Sequence, residues 1–309
     1  MDKDAALLVE ESELGGRRPK GWSRHLLFGL GVAWSLFQLW ATELGTLDPL
    51  RLRAVHLAFA LALAFLAYPG KRGPKDRVPL LDWALALLGA LGALYVVWDY
   101  YGITQLRGGI PSDRDVVMGT LTLLVLFVAS WRVVGPALPI IASVFILYAL
   151  TGPKGLIPYT LPSWLQLHAG SQWGQLMGQL YTTAEGIWGV PLGVSATFVF
   201  LFVLFGALLE KAGAGHFFIQ AAYALLGHFR GGPAKAAVVA SALTGVVSGS
   251  SVSNTVTTGT FTIPLMKRTG YKPEFAAAAE AAASTGGQIM PPIMGAAAFL
   301  MADYVQIPY

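Results

Sequence analysis

Residues 245–262 read GVVSGSSVSNTVTTGTFT, a stretch of hydroxyls and one amide that carries no charge. It emerges from an apolar run, 236–247, and passes into another, 261–266. Neutral oxygens at this density suit a hard cation, whose water shell they can replace. Transporters hold Na⁺ in this way, adding carbonyls freed where a helix is interrupted. The N-terminus of a half-helix would instead draw an anionic group. The candidate ligands are Ser248, Gly249, Ser250, Ser251, Asn254, Thr257 and Thr258. For any one hydroxyl the alternative is a bond to a neighbouring helix. Gly245 and Gly249 also form a G-x-x-x-G, a packing signal.

A second cluster follows in TGGQIMPPIMG, residues 285–295. Its glycines and prolines do not continue a regular helix cheaply, so Thr285, Gly286, Gly287, Gln288 and Pro291 fall at an expected break. Just before it, Glu280 sits in AAAAEAAAS. An ionisable residue inside an apolar segment is a functional candidate, here for proton coupling; pairing with a Lys or Arg near the inner end is the other reading. Enzyme chemistry finds no support. The spacing of GVVSG is not that of a G-x-S-x-G nucleophile elbow, and His216 and His228 lie on a different segment. The chain has no H-E-x-x-H, no Walker loop and no acidic metal cluster. With no cysteine, thiolate sites and disulfides are excluded.

These residues need elements to hold them, and composition says which. Of 309 residues 55% are hydrophobic and 12% charged, with a mean hydropathy of +0.58. Soluble domains carry about 25% charged residues, so the chain reads as an all-α polytopic membrane protein. Spans of roughly 20 apolar residues are expected at 26–44, 54–68, 80–97, 116–131, 133–150 and 190–208, about six in all. Lys and Arg set the orientation: with the N-terminus cytoplasmic, 16 of them fall inside and 5 outside. The excess positive charge is therefore a topology signal and not a nucleic-acid footprint. Residues 1–21 read as a cytoplasmic tail. The outer segment 151–189, with Trp164, Trp173, Tyr181 and Trp188, reads as an aromatic belt or a docking surface. Residues 216–230 read as a helix lying along the inner face.

Arg230 and Lys235 precede the polar stretch, and Lys267 and Arg268 follow it. Both clusters belong on one side, so 232–266 should enter the membrane and leave where it entered, as a re-entrant hairpin with the polar stretch at its tip. Irregular backbone at membrane depth persists only when buried in protein or lining a wet cavity. A discontinuous helix, 272–304, should follow.

The segments RGGPAKAAVVASALTGVVSGSSVSNTVTTGTFTIPLMKRTGY and EAAASTGGQIMPPIMGAAAFLMADY resemble the permease of tripartite ATP-independent periplasmic (TRAP) transporters, most closely the type that works with TAXI solute-binding proteins and has fused small and large membrane subunits. RVVGPALPI, EGIWGVPLGVSATFVFLFVLFGALLEKAGAG and the closing IPY fit as well. The resemblance implies a small-subunit-like domain over 22–131 and the first half of an inverted-repeat, elevator-type transport domain over 132–309. It implies Na⁺ at Ser250, Asn254, Thr258, Gly286 and Gln288, no organic cofactor, and Na⁺ or H⁺ as coupling ion. The implied partners are a periplasmic TAXI-family binding protein that delivers an organic anion, membrane lipid, and the C-terminal half of the permease. The implied location is the bacterial inner membrane. One departure stands out: the family's second hairpin does not occur before Tyr309, so the 309 residues are expected to need a second repeat. The alternative is a non-transporting scaffold or a split subunit that assembles with a separate chain.

Overall fold

The computed structural model describes residues 16–70, 73–159, 162, 164–248, 251–289 and 295–307. It is helical, and the described residues contain no strand beyond one isolated bridge between Thr151 and Ile157. Among the described residues five helices are long and apolar enough to cross a membrane: α1 (Trp22–Glu43), α2 (Pro49–Ala67), α3 (Leu80–Trp98), α4 (Asp113–Val133) and the run Val190–Leu209. The sixth expected span, 133–150, is shorter than its apolar run. Gly135, with φ of 103°, and Pro136 stop α4, and α5 (Ala137–Leu150) starts only after them. Its 14 residues cover about 21 Å, less than a bilayer core. A short helix, α6 (Trp173–Met177), comes next. In α7, the segments Val190–Val194 and Phe200–Lys211 flank a π-helical turn, Ser195–Val199. The chain divides into two compact units between Ala196 and Thr197.

In the first unit, α2 packs on α3 and α3 on α4, around Leu61, Phe65, Leu66, Ala93 and Val96. Two side chains from the aromatic segment 151–189 enter this core. Tyr181 and Trp188 are fully buried, the Tyr181 hydroxyl donates to the Gly92 carbonyl at 2.5 Å, and Trp188 Nε1 donates to the Tyr181 carbonyl at 2.6 Å. They serve neither as belt nor as docking surface, because the segment folds back to cap the bundle. Trp164, in contrast, is 77% exposed. At the other end of the helices Asp82 is buried between two arginines, Arg17 at 2.6 Å and Arg132 at 2.7 Å. Arg17 also caps α2 by donating to the carbonyls of Phe65 and Leu66. Of the expected tail, residues 17–20 are thus docked, with the Arg18 and Lys20 amides bonded to the carbonyls of Lys75 and Asp76. The Ala196 carbonyl, in the π turn of α7, accepts from the buried Gln38 amide.

The second unit holds α8 (Ala214–Leu226), α9 (Gly232–Ser248), α10 (Ser251–Arg268), α11 (Pro273–Gly287) and α12 (Ala296–Val305). Helix α8 falls where the inner-face helix is expected. Pro273 occupies the first turn of α11, where its missing N–H costs nothing. Helices α9, α10 and α11 pack mutually. Ala237, Met266 and Ala276 form one apolar plug among them, while α12 returns to stack Phe299 on Phe198 and Phe202 of α7.

Candidate functional site

Two residues separate α9 from α10, and the helices run antiparallel, with Asn254 opposite Ser241 and Met266 opposite Ala237. The polar stretch is not the irregular tip that its composition suggests. Residues 251–262 form the first three turns of α10. Their hydroxyls bond back along the helix: Thr255 to the Ser251 carbonyl, Thr258 to Asn254 and Thr262 to Thr258, at 2.7 to 3.0 Å. Out of water such bonds satisfy the hydroxyls locally, so the helix tolerates them. The two helices are separated in the sequence by Gly249 and Ser250. These two, Pro291, and the Ser248 side chain lie outside the described residues.

The next expectation, a helix interrupted near 288, matches the chain. Helix α11 ends at Gly287 and α12 starts at Ala296. The carbonyls at the break are not all free, however. Thr285 and Gly286 accept from the amides of Gln288 and Ile289, and Gln288 accepts from Gly295 at 2.7 Å. The Thr285 side chain points outward, is exposed, and donates to the Ala281 carbonyl. Gln288 and Gly286 are partly buried, as are Ser251 and Thr257.

Three-helix packing gathers a different set. Asn254, Thr258, Thr262, Ser241, Ser284 and Glu280 are all fully buried. Glu280 Oε1 accepts from the hydroxyls of Thr258 and, at 3.2 Å, Ser284, and its Oε2 accepts from Thr262 at 2.6 Å. Ser284 and Ser241 hydroxyls lie 2.9 Å apart, joining α11 to α9. The Asn254 amide nitrogen donates to the Ser241 carbonyl at 2.7 Å and to its hydroxyl at 3.1 Å. Asn254 Oδ1 is buried and accepts no hydrogen bond. A buried acceptor without a donor costs about 1–3 kcal/mol, so this oxygen is open to a hydrogen-bond donor or a cation.

Glycines permit this approach. A Cβ on Gly245 would lie 2.7 Å from the Gly287 Cα and 3.0 Å from the Asn254 amide nitrogen. Helices α9 and α11 therefore cross backbone to backbone beside Asn254. Gly259 likewise admits Glu280, whose Cγ would sit 3.2 Å from an added Cβ. Among the described residues no basic side chain pairs with Glu280: Lys235, Lys267, Arg268 and Lys272 are exposed at the helix ends. The inner-end ion pair considered from sequence is replaced by hydroxyls. Burial first, and then the Glu280 charge, push the Tyr223 phenol on α8 up to about 12.

The structure thus unites Asn254, Thr258, Gly287 and Glu280 from the expected set and leaves Thr285 facing away. It adds Ser241, Thr262 and Ser284. Ser241 and Ser284 were visible as serines in alanine-rich runs, four residues before Gly245 and four after Glu280. Among the described residues, no group of three or more His, Asp or Glu could hold a transition metal.

A family model described as the tripartite ATP-independent periplasmic transporter, DctM component, matches residues 121–309 and so includes every residue of this cluster. The chain belongs to that family, one of transporters and not enzymes. The C4-dicarboxylate TRAP transporter large permease protein DctM of Vibrio cholerae is 38% identical over 91 residues, covering 29% of this chain and 20% of that protein. The protein of the same name from Pseudomonas aeruginosa is 40% identical over 91 residues, 29% of this chain and 21% of that one. The Rhodobacter capsulatus protein of that name is 35% identical over the same coverage. The aligned stretch thus spans about a fifth of the length of these relatives. No solved structure matches the chain.

Proposed function

We propose that this member of the DctM-component family works as the permease of a secondary uptake system that imports an organic anion on a cation gradient. The anion is a carboxylate, the class named in the C4-dicarboxylate relatives. A periplasmic TAXI-type solute-binding protein delivers it, and elevator-like movement of the transport domain carries it inward. The chain sits in the bacterial inner membrane as a multi-pass protein with its N-terminus cytoplasmic, in keeping with the 16 to 5 bias of basic residues. Small-subunit-like helices at 22–131 brace a transport domain that starts near Arg132.

One observation carries the cation reading: the buried Asn254 Oδ1 has no donor, in a core that also holds the buried Glu280 carboxylate, with no basic partner among the described residues. Oxygen acceptors outnumber donors there, which favours Na⁺ over an anion. Thr258, Ser250, Gly286 and Gln288 flank Asn254 in sequence or across the helix crossing and are the further candidate ligands. The test is uptake of a labelled C4-dicarboxylate by the complete system, permease plus binding protein, in proteoliposomes. Uptake should require an inward Na⁺ gradient and stop when choline replaces Na⁺. Uptake that continues unchanged in choline overturns Na⁺ coupling.

A further inference from the structure

We propose that Glu280 is the positioning residue and counter-charge of the cation site, acting on Asn254 through the Ser284 and Ser241 hydroxyls without touching the ion. This rests on the reading that Asn254 holds the coupling cation.

An ionised carboxylate only accepts, and a serine hydroxyl has one proton. Ser284 directs its proton to Glu280 Oε1 at 3.2 Å. Toward Ser241, 2.9 Å away, Ser284 can then only accept, so Ser241 is the donor. Ser241 has no proton left for Asn254, and the amide atom 3.1 Å from its hydroxyl must be the nitrogen. The Ser241 carbonyl, 2.7 Å from the same nitrogen, asks for the same orientation. Each bond in the series Asn254, Ser241, Ser284, Glu280 therefore points its proton toward the carboxylate. The amide nitrogen lies beside the crossing of Gly245 and Gly287, and Oδ1 is left as the buried acceptor with no partner.

Charge supports the same role. Thr258 and Thr262 also set their hydroxyls against Glu280, each dividing its one proton between the carboxylate and the carbonyl four residues back. None of them carries a positive charge, and no Lys, Arg or His among the described residues pairs with it; on the packed helices Lys235, Lys267, Arg268 and Lys272 lie exposed at the ends. An isolated charge in a dry interior is costly. A monovalent cation at Asn254 offsets it across one short hydrogen-bonded relay, where the low dielectric makes the attraction large. A site built from neutral oxygens alone would lack that selectivity for charge.

The experiment reads Na⁺ binding separately from transport. The purified full-length permease is titrated with NaCl against choline chloride at constant ionic strength, and the half-saturating Na⁺ is taken from the rise in melting temperature. The wild type should respond to Na⁺ and not to choline, and Asn254→Ala should abolish the response. Glu280→Gln keeps the shape, removes the charge and brings its own protons; half-saturating Na⁺ should rise at least tenfold. In the reconstituted system at saturating Na⁺, its substrate KM should stay within about twofold, which general loosening of the fold would not leave intact. Ser284→Ala keeps the carboxylate and cuts the relay, and should raise half-saturation about threefold or more. A Glu280→Gln protein with unchanged half-saturation, while Asn254→Ala loses the response, overturns the role of Glu280 and leaves the cation site standing. If Glu280→Gln does not fold, Ser284→Ala decides alone, and an unchanged value there overturns the proposal. A wild type that does not distinguish Na⁺ from choline overturns the cation reading itself, and this role with it.

Discussion

Gly286 and Gly287 are neighbours in the sequence, yet alanine should have opposite effects at the two positions. At Gly287 an added Cβ would lie 2.8 Å from the Cα of Gly245 and 3.4 Å from the Asn254 amide nitrogen. Carbon atoms rest at about 3.5–4.0 Å, so α9 and α11 must move apart by roughly 1 Å or bend. The obstacle is backbone, and no rotamer can relieve it. Overpacking of this kind costs about 1–3 kcal/mol. At Gly286 an added Cβ meets nothing within 4 Å. There the substitution only replaces a flexible residue in a helix by a better helix former, a gain of up to about 0.5–1 kcal/mol. At about 2–4 °C per kcal/mol for chains somewhat shorter than this one, Gly287→Ala should melt roughly 2–12 °C below the wild type and Gly286→Ala at or slightly above it. Both are read by tryptophan fluorescence of the purified protein on heating. Because the two variants have identical composition, detergent and expression effects cancel in the comparison. Equal melting temperatures would refute the helix crossing at Gly245 and Gly287, and with it the placement of Asn254 that depends on that crossing.

Two further outcomes test the first unit. Asp82→Asn leaves Arg17 and Arg132 facing each other without a carboxylate, and removing one partner of a buried pair costs about 3–5 kcal/mol; residues 17–24 should then become sensitive to limited proteolysis, which an intact cleavage pattern would contradict. Tyr181→Phe strips a fully buried hydroxyl from the Gly92 carbonyl, at a cost of about 1–3 kcal/mol, and should lower the melting temperature without changing Na⁺ half-saturation.

The spans were legible because composition alone drives them: a run of apolar residues near 20 long leaves few options in lipid. The break at Gly287 was legible for a similar reason, since Gly-Gly and Pro-Pro resist a helix whatever surrounds them. The polar stretch misled because the same threonines are weak helix formers in water and stable in a helix when buried. Their hydroxyls close onto carbonyls four residues back, as Thr258 does on Asn254, and only tertiary burial removes the competing water. Tyr181 and Trp188 misled in the same way. Their types suit an interface, but whether such a side chain faces lipid or a protein core depends on where its segment folds; here Gly119 leaves room for the Tyr181 ring and the Gly92 carbonyl accepts its hydroxyl.

The partners of Glu280 lay furthest from view. Ser241 precedes Glu280 by 39 positions, and nothing local marks it as different from other serines in membrane helices. What selects it is a chain of single-proton commitments across three helices, which exists only once α9 and α11 touch at two glycines. The sequence could show that an acid and an amide were present in apolar surroundings. It could not show that they belong to one network, because that depends on a contact between backbones. This order of dependence has a consequence for mutagenesis: disturbing Gly245 or Gly287 should alter Na⁺ half-saturation together with stability, whereas disturbing Ser284 should alter half-saturation with a smaller effect on stability. A Ser284→Ala protein that loses stability as much as Gly287→Ala while keeping wild-type half-saturation would show that the hydroxyls serve only to hold the helices together.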